Sequence, residues 1–279
     1  MEHSLITWGR SIMPVRNKNI FLGLIYSFYN EIFFWGHILA SILVVLFCFW
    51  YIKKFRINSE KAFLLAFSIV PFAASAILIT GRFDSVGGFN WVRAVVFIPI
   101  AIYLLCSAVD MPFTRTLDFL APCAALHHGI AHIFCIFAGC CHGYPSTFGI
   151  WNKDKQDYLF PVQLFESATS LLIFWFMVWY AKRKKYDVHG ISYGQYLFLF
   201  GLTRTFWEFF RDNTPERWQI STFQYYSFAA FVLGSIWLII TFYLRKHPEF
   251  VKKHELFFKE DVGELTRIKM FLRKRKRNR

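Results

Sequence analysis

The sequence predicts an all-α integral membrane protein with about seven transmembrane helices, its N-terminus outside and its C-terminus cytoplasmic. Composition is the first observation behind this prediction. Hydrophobic residues make up 56% of the 279-residue chain, aromatics 21%, and charged residues only 18%, against roughly 25% charged in an ordinary soluble domain. A disordered chain is excluded by that hydrophobicity. A soluble globular domain could not hide this much Phe, Ile and Leu. The second observation is a series of apolar runs, each long enough to cross about 30 Å of hydrocarbon. The third is that basic residues gather in alternate loops, the pattern that keeps those loops in the cytoplasm.

The runs fall in order. Residues 1–31 form an N-terminal segment in which the short apolar stretch Ile20–Tyr29 reads as an interfacial helix. No cleavable signal pattern follows its early charges. The first span is Ile32–Tyr51, IFFWGHILASILVVLFCFWY, without a formal charge. Further spans are expected at Ala62–Thr80, Phe89–Val109, Leu117–Gly139, Val162–Ala181, Ile191–Phe210 and Thr222–Leu244, making 32–244 one membrane domain. Lys53, Lys54, Arg56 and Lys61 follow the first span, Arg115 the third, and Lys182-Arg183-Lys184-Lys185 the fifth. The alternate loops carry only Arg82, Lys153 with Lys155, and Arg217. The tail 245–279 holds thirteen Lys or Arg. It reads as a cytoplasmic segment facing anionic lipid in preference to a nucleic-acid arm, so no nucleic-acid partner is expected.

Cys48, Cys106 and Cys123 lie inside apolar spans and read as small core residues. A denser region runs from Cys123 to Gly143, CAALHHGIAHIFCIFAGCCHG. On a helix His128, His132 and Cys135 share one face, at i, i+4 and i+7. Cys140, Cys141 and His142 follow at the helix end. Three readings stay open here. Imidazole titrates near neutrality and could serve as a catalytic base. Thiolate and imidazole together suit zinc, copper or iron, and the candidate cluster would be His128, His132, Cys135 and Cys140. Packing and hydrogen bonding around a glycine-rich helix end is the third. No metal and no cofactor is favoured.

The sharpest pattern is GLTRTFWEFFRDN, Gly201–Asn213. Arg204, Glu208 and Arg211 occupy i, i+4 and i+7, a charged stripe among Phe and Trp. Such groups at membrane depth are costly and tend to be functional. Glu208 neutralises only one arginine, so surplus positive charge is left for an anion, and guanidinium binds phosphate through forked donors. A phospholipid phosphate is the anion at hand. Glu166, one turn inside the fifth span, could pair with either arginine. Asp118 opens the fourth span, where a carboxylate suits the helix dipole. Asn90 and Arg93, behind Gly87-Gly88, are further candidates for phosphate contact or interface anchoring.

Over Gly87–Asn213 the chain resembles the bacterial prolipoprotein diacylglyceryl transferase family, as a divergent paralogue. Four stretches carry the resemblance. They are Asp118–Pro122, Phe137–Gly143 (FAGCCHG), Pro161–Glu166 (PVQLFE, similar to P-x-Q-L-Y-E) and Arg204–Arg211 (RTFWEFFR, similar to R-x-x-x-E-F-F-R). The seven-span topology agrees. The family moves a diacylglyceryl group from phosphatidylglycerol to the thiol of a lipobox cysteine at the outer face of the inner membrane, releasing glycerol phosphate. The resemblance therefore implies a multi-pass inner-membrane transferase. Its partners would be an anionic, phosphatidylglycerol-like phospholipid and a lipobox-containing preprotein. It implies that Arg204 and Arg211 bind the lipid head group, ordered by Glu166 and Glu208, and that Gly143 is the signature's terminal glycine. The chain departs from the family at several positions. His132 stands where the signature has arginine, Cys135 where it has asparagine and Cys140 where it has glutamate. Val92, before Arg93, stands at the family's histidine, and Trp35 at its first-span tyrosine. His132, or else His128 or His142, is then the expected base, with Arg204 and Glu208 beside it. Cys140 or Cys141 as a covalent nucleophile is a further option. A non-catalytic lipid- or metal-binding protein on the same fold is the alternative.

Overall fold

In hydrocarbon every backbone N–H and C=O has to find its partner within the segment, which a helix does and an open strand does not. The computed structural model follows that rule. It describes residues 20–55, 60–61, 91–108, 111–152, 154–186, 188, 190–212 and 220–246, of which 20–30 and 91–98 are described by their backbone. Among the described residues lie the helices α1 (Ile20–Phe55), α2 (Trp91–Ala108), α3 (Phe113–Ala138), α4 (Val162–Arg183), α5 (Ile191–Glu208) and α6 (Thr222–Lys246). Between α3 and α4 lies a hairpin of β1 (Pro145–Asn152) and β2 (Asp157–Leu159). The protein is thus mostly helical. Among the described residues four helices are long and apolar enough to cross a membrane, at Glu31–Phe55, Phe113–Ala138, Val162–Arg183 and Thr222–Lys246. The expected span Ala62–Thr80, the loop carrying Asn90, and the basic tail beyond Lys246 lie outside the described residues.

Three sequence expectations shift. Ile20–Tyr29 is the first part of one continuous α1, not a separate interfacial element. The fourth span begins at Phe113 rather than Leu117, because Pro112 starts the helix and the Thr116 hydroxyl donates to its carbonyl at 2.9 Å. The helix expected as the sixth span stops at Glu208, so Arg211 is not on it. The hairpin, too, is a departure from a purely helical chain.

α3 is the central element, packed against α1, α4, α5 and α2. α5 in turn lies along α6. Small residues set that approach, as in membrane helix pairs generally. A Cβ on Gly201 would lie 2.3 Å from the Phe231 amide nitrogen, and one on Gly234 2.4 Å from that of Phe198. Gly36 does the same between α1 and α3, where Phe134 fills the space a side chain would need. Apolar side chains cover the outside: Phe49, Leu172, Trp175 and Ile239 are each about two-thirds exposed, which suits hydrocarbon and would be costly in water.

The two ends of the bundle differ. At one end α1 finishes with Lys53 and Lys54, and Arg115 donates to the Phe55 carbonyl at 2.6 Å. α4 finishes there with Lys182 and Arg183, and α6 with Arg245 and Lys246. Asp118, fully buried, reaches across to this end of α5 and accepts from the Gly190 and Tyr193 amides, the latter at 3.1 Å. It therefore caps α5, not its own helix as the sequence suggested, and satisfies donors that would otherwise be buried without partners. The opposite end gathers the end of α3, the hairpin, the start of α4 and the end of α5. The polar cluster lies there.

Candidate functional site

Gly139, left-handed with φ 69°, ends α3, and its amide bonds to Cys135 and Ile136, the usual helix stop. The chain then runs through Cys140–Gly143. The Gly143 amide donates to Phe160 at 2.9 Å, and Gly143 forms a bridge with Arg211. A Cβ on Gly143 would meet the Phe210 carbonyl at 2.4 Å. Bare backbone at Gly143 lets the segment carrying Arg211 approach. Gln163 ties the start of α4 to the same turn, donating to the Cys140 carbonyl at 2.7 Å.

Those local arrangements place Glu166 between two guanidiniums. Its Oε2 accepts from Arg211 Nη2 at 2.6 Å and its Oε1 from Arg211 Nε at 3.2 Å. Oε1 also accepts from Arg204 Nη1. Arg204 Nη2 lies 3.1 Å from Glu208 Oε2, and Arg211 Nε 3.6 Å from the same oxygen. All four side chains are buried. Taken over α5 alone, one arginine lacks a carboxylate. Once Glu166 crosses from α4, two carboxylates face two guanidiniums, so the surplus charge expected from the sequence is neutralised. What remains is donor capacity: Arg204 Nε is buried with no hydrogen-bond partner among the described residues.

His132 joins this network. Its Nε2 lies 3.2 Å from Arg211 Nη2 and 3.2 Å from Glu166 Oε2. Its Nδ1 lies 3.0 Å from His128 Nε2, and His128 Nδ1 lies 2.7 Å from Ser170 Oγ. A hydrogen-bonded row therefore runs from Ser170 through both histidines to the charges. On the other side Ser221 Oγ donates to Glu208 Oε1 at 2.9 Å. Ser221 and Gln224 also cap α6 reciprocally, Gln224 N to Ser221 Oγ at 3.2 Å and Ser221 N to Gln224 Oε1 at 2.9 Å. This is a capping box. Aromatic rings wall the cluster, with Phe165 stacked on Phe160 at 5.1 Å and on Trp207 at 5.0 Å.

The structure thus brings together His132, His128, Arg204, Glu208, Arg211, Glu166 and Gly143. His142 is set apart: its Nδ1 faces the Gly143 carbonyl at 3.2 Å. Asn90 lies outside the described residues, and of Arg93 only the backbone, on α2, is described. Two groups place ligand atoms within 4.8 Å of one another among the described residues: His132, Cys135 and Cys141, and His128, His132 and Glu166. Cys140, exposed at the edge, directs its sulfur toward the Cys135 carbonyl at 3.7 Å. Hydrogen bonds from the Cys135 and Cys140 thiols, with the nearby Arg211 charge, hold the Cys141 thiol well below its ordinary range. Sequence reasoning missed Ser170, Ser221 and Gln224. The S-x-x-Q spacing of Ser221 and Gln224 was a readable signal; Ser170 offered none.

Residues 38–241 match the family described as prolipoprotein diacylglyceryl transferase. The chain belongs to that family. Over 159 residues it is 28% identical to a phosphatidylglycerol–prolipoprotein diacylglyceryl transferase of Clostridium tetani (strain Massachusetts / E88), a match covering 54% of this chain and 63% of the relative. Over 103 residues it is 30% identical to phosphatidylglycerol–prolipoprotein diacylglyceryl transferase 2 of Clostridium perfringens (strain 13 / Type A), covering 34% of this chain and 40% of the relative. The chain thus spans less than two thirds of the length of either relative. Membership of the diacylglyceryl transferase family agrees with a multi-pass membrane protein.

Proposed function

We propose that this family member is a membrane-embedded transferase that moves the diacylglyceryl group of an anionic, phosphatidylglycerol-like phospholipid to an acceptor thiol, the lipobox cysteine of a preprotein. The observation that carries the reading is the buried Glu166–Arg204–Arg211–His132 network at the end of the bundle away from the helix-terminal lysines. Basic helix ends favour the cytoplasm, so the network belongs to the outer leaflet of a cytoplasmic membrane. That supports seven spans, an outside N-terminus, and a cytoplasmic tail 245–279 against anionic lipid.

A lipid phosphate would compete with Glu166 for Arg204 and Arg211, and the unpartnered Arg204 Nε offers it a further donor. Turning Arg211 toward phosphate frees His132 Nε2, which then takes the proton of the acceptor thiol. The thiolate forms a sulfur–carbon bond at the glyceryl carbon. The carbon–oxygen bond to phosphate breaks, and glycerol phosphate leaves with its charge held by the guanidiniums. His128 and Ser170 position His132. Glu208, held by Ser221, orients Arg204.

The test incubates purified protein with labelled phosphatidylglycerol and a lipobox peptide, read by mass spectrometry. The peptide should gain a diacylglyceryl mass, and Arg204→Ala should slow transfer by at least about 100-fold. Arg204→Lys, which keeps the charge, separates a binding defect from misfolding. Folded wild-type protein that retains lipid yet transfers nothing overturns the reading. It would leave a lipid-binding protein on the same fold.

A further inference from the structure

We infer that His132, Cys135, Cys140 and Cys141 form a binding site for one thiophilic d10 cation of the zinc class, beside the charged network and competing with transfer for His132. The ligand atoms of His132, Cys135 and Cys141 already lie within 4.8 Å of one another. A tetrahedral site with metal–sulfur bonds of about 2.3 Å needs ligand separations of about 3.8 Å, so closing on an ion takes roughly an ångström. Cys140 is the candidate fourth ligand: it directly precedes Cys141, and its sulfur lies 3.7 Å from the Cys135 carbonyl. Three cysteines and one histidine make a set that zinc uses in closed sites.

Two features of the fold independently suit this role. Cys141 has φ 63°, the left-handed region that a non-glycine residue enters only at a cost in backbone strain. That conformation, two residues after left-handed Gly139, turns the chain back so that residues 140 and 141 face the last turn of α3. His132 is backed as ligating histidines usually are: its Nδ1 lies 3.0 Å from His128, itself 2.7 Å from Ser170, so the ion takes Nε2 in place of the Arg211 contact at 3.2 Å. Charge fits as well. On binding, the three thiols release their protons to solvent. A dication held by three thiolates and a neutral imidazole then carries one net negative charge, and the positive charge of Arg211 acts on Cys141. Cys140, exposed, is the entry edge. Cys48, 3.4 Å from Cys123, and Cys106 are on other parts of the bundle and take no part.

An imidazole that holds the ion cannot also accept a thiol proton. Loading and transfer therefore exclude each other, a consequence that rests on the proposed reaction. The experiment loads full-length protein in detergent with Zn2+, desalts it, and measures metal by mass spectrometry. Cd2+ gives a thiolate charge-transfer band as a second probe. Wild type and Cys48→Ser should keep about one ion per chain. Cys135→Ser and Cys141→Ser should keep none, and Cys140→Ser, on the exposed edge and so least harmful to folding, should weaken retention and diminish the cadmium band. Wild type that retains no ion, or cysteine variants that retain it fully, overturns the inference. Loading should slow transfer by at least about 100-fold, restored by chelator; loaded protein that transfers at the metal-free rate overturns the assignment of His132. A protein that binds the ion but transfers in neither form leaves this site standing and sinks the proposed function. One that transfers but binds no ion does the reverse.

Discussion

Glu166→Gln keeps the shape of the side chain and removes its charge. In the native protein this carboxylate accepts two hydrogen bonds from Arg211, at 2.6 and 3.2 Å, and one from Arg204. A glutamine offers one acceptor oxygen, and its amide group turns two donors toward guanidinium donors. Glu208 is then left to balance both arginines within a buried site. Removing one partner of a buried ion pair costs about 3–5 kcal/mol, which at about 1.4 kcal/mol per decade is roughly 10²- to 10⁴-fold in the unfolding equilibrium. The control is the exposed pair Lys155–Asp212, 3.6 Å apart with Lys155 56% exposed. Its loss in Lys155→Met should cost less than about 1 kcal/mol. The assay is reversible unfolding in mixed micelles, titrated with denaturing detergent and followed by tryptophan fluorescence. A cycle with Arg211→Gln should give a coupling of about 1–3 kcal/mol. Glu166→Gln within about 0.5 kcal/mol of wild type, or no worse than Lys155→Met, would refute the claim that these charges are desolvated and mutually dependent.

Asp118→Ala should destabilise the fold by about 1–3 kcal/mol for each amide left buried without an acceptor; hydrogen exchange should open at Gly190 and Tyr193, not at the start of α3. Gly201→Ala should cost about 1–3 kcal/mol by the same titration, because the new carbon meets the backbone of α6, which cannot rotate aside. In Gly143→Ala the added carbon presses on the Phe210 carbonyl, so lipid transfer should fall much more than unfolding free energy does. Ser221→Ala removes both a cap of α6 and a hydrogen bond to Glu208, and should cost about 1–2 kcal/mol, with slower transfer in the peptide assay.

The membrane class and the placement of most helices were legible in the chain because they rest on local quantities. Ile32–Tyr51 and Thr222–Leu244 are apolar over a membrane's thickness, and nothing elsewhere in the molecule changes that. Arg204 and Glu208 stood out for the same reason, being charges one turn apart in an apolar run. The partnerships were not legible. Asp118 reads as a residue serving its own helix, yet it caps α5, more than seventy positions away. Arg211 reads as a third member of a helical stripe, but the helix ends at Glu208, where the chain turns to meet Gly143. Glu166 reads as one optional counter-ion and proves to hold both arginines. Cys141 was indistinguishable from Cys140 until a left-handed turn left one half-buried and the other on an exposed edge. Hydropathy and periodicity depend on neighbours in sequence, so the chain alone determined which segments form apolar helices. Electrostatic balance and ligand geometry depend on which helix ends meet in space, and only the packing of α3, α4 and α5 decided that.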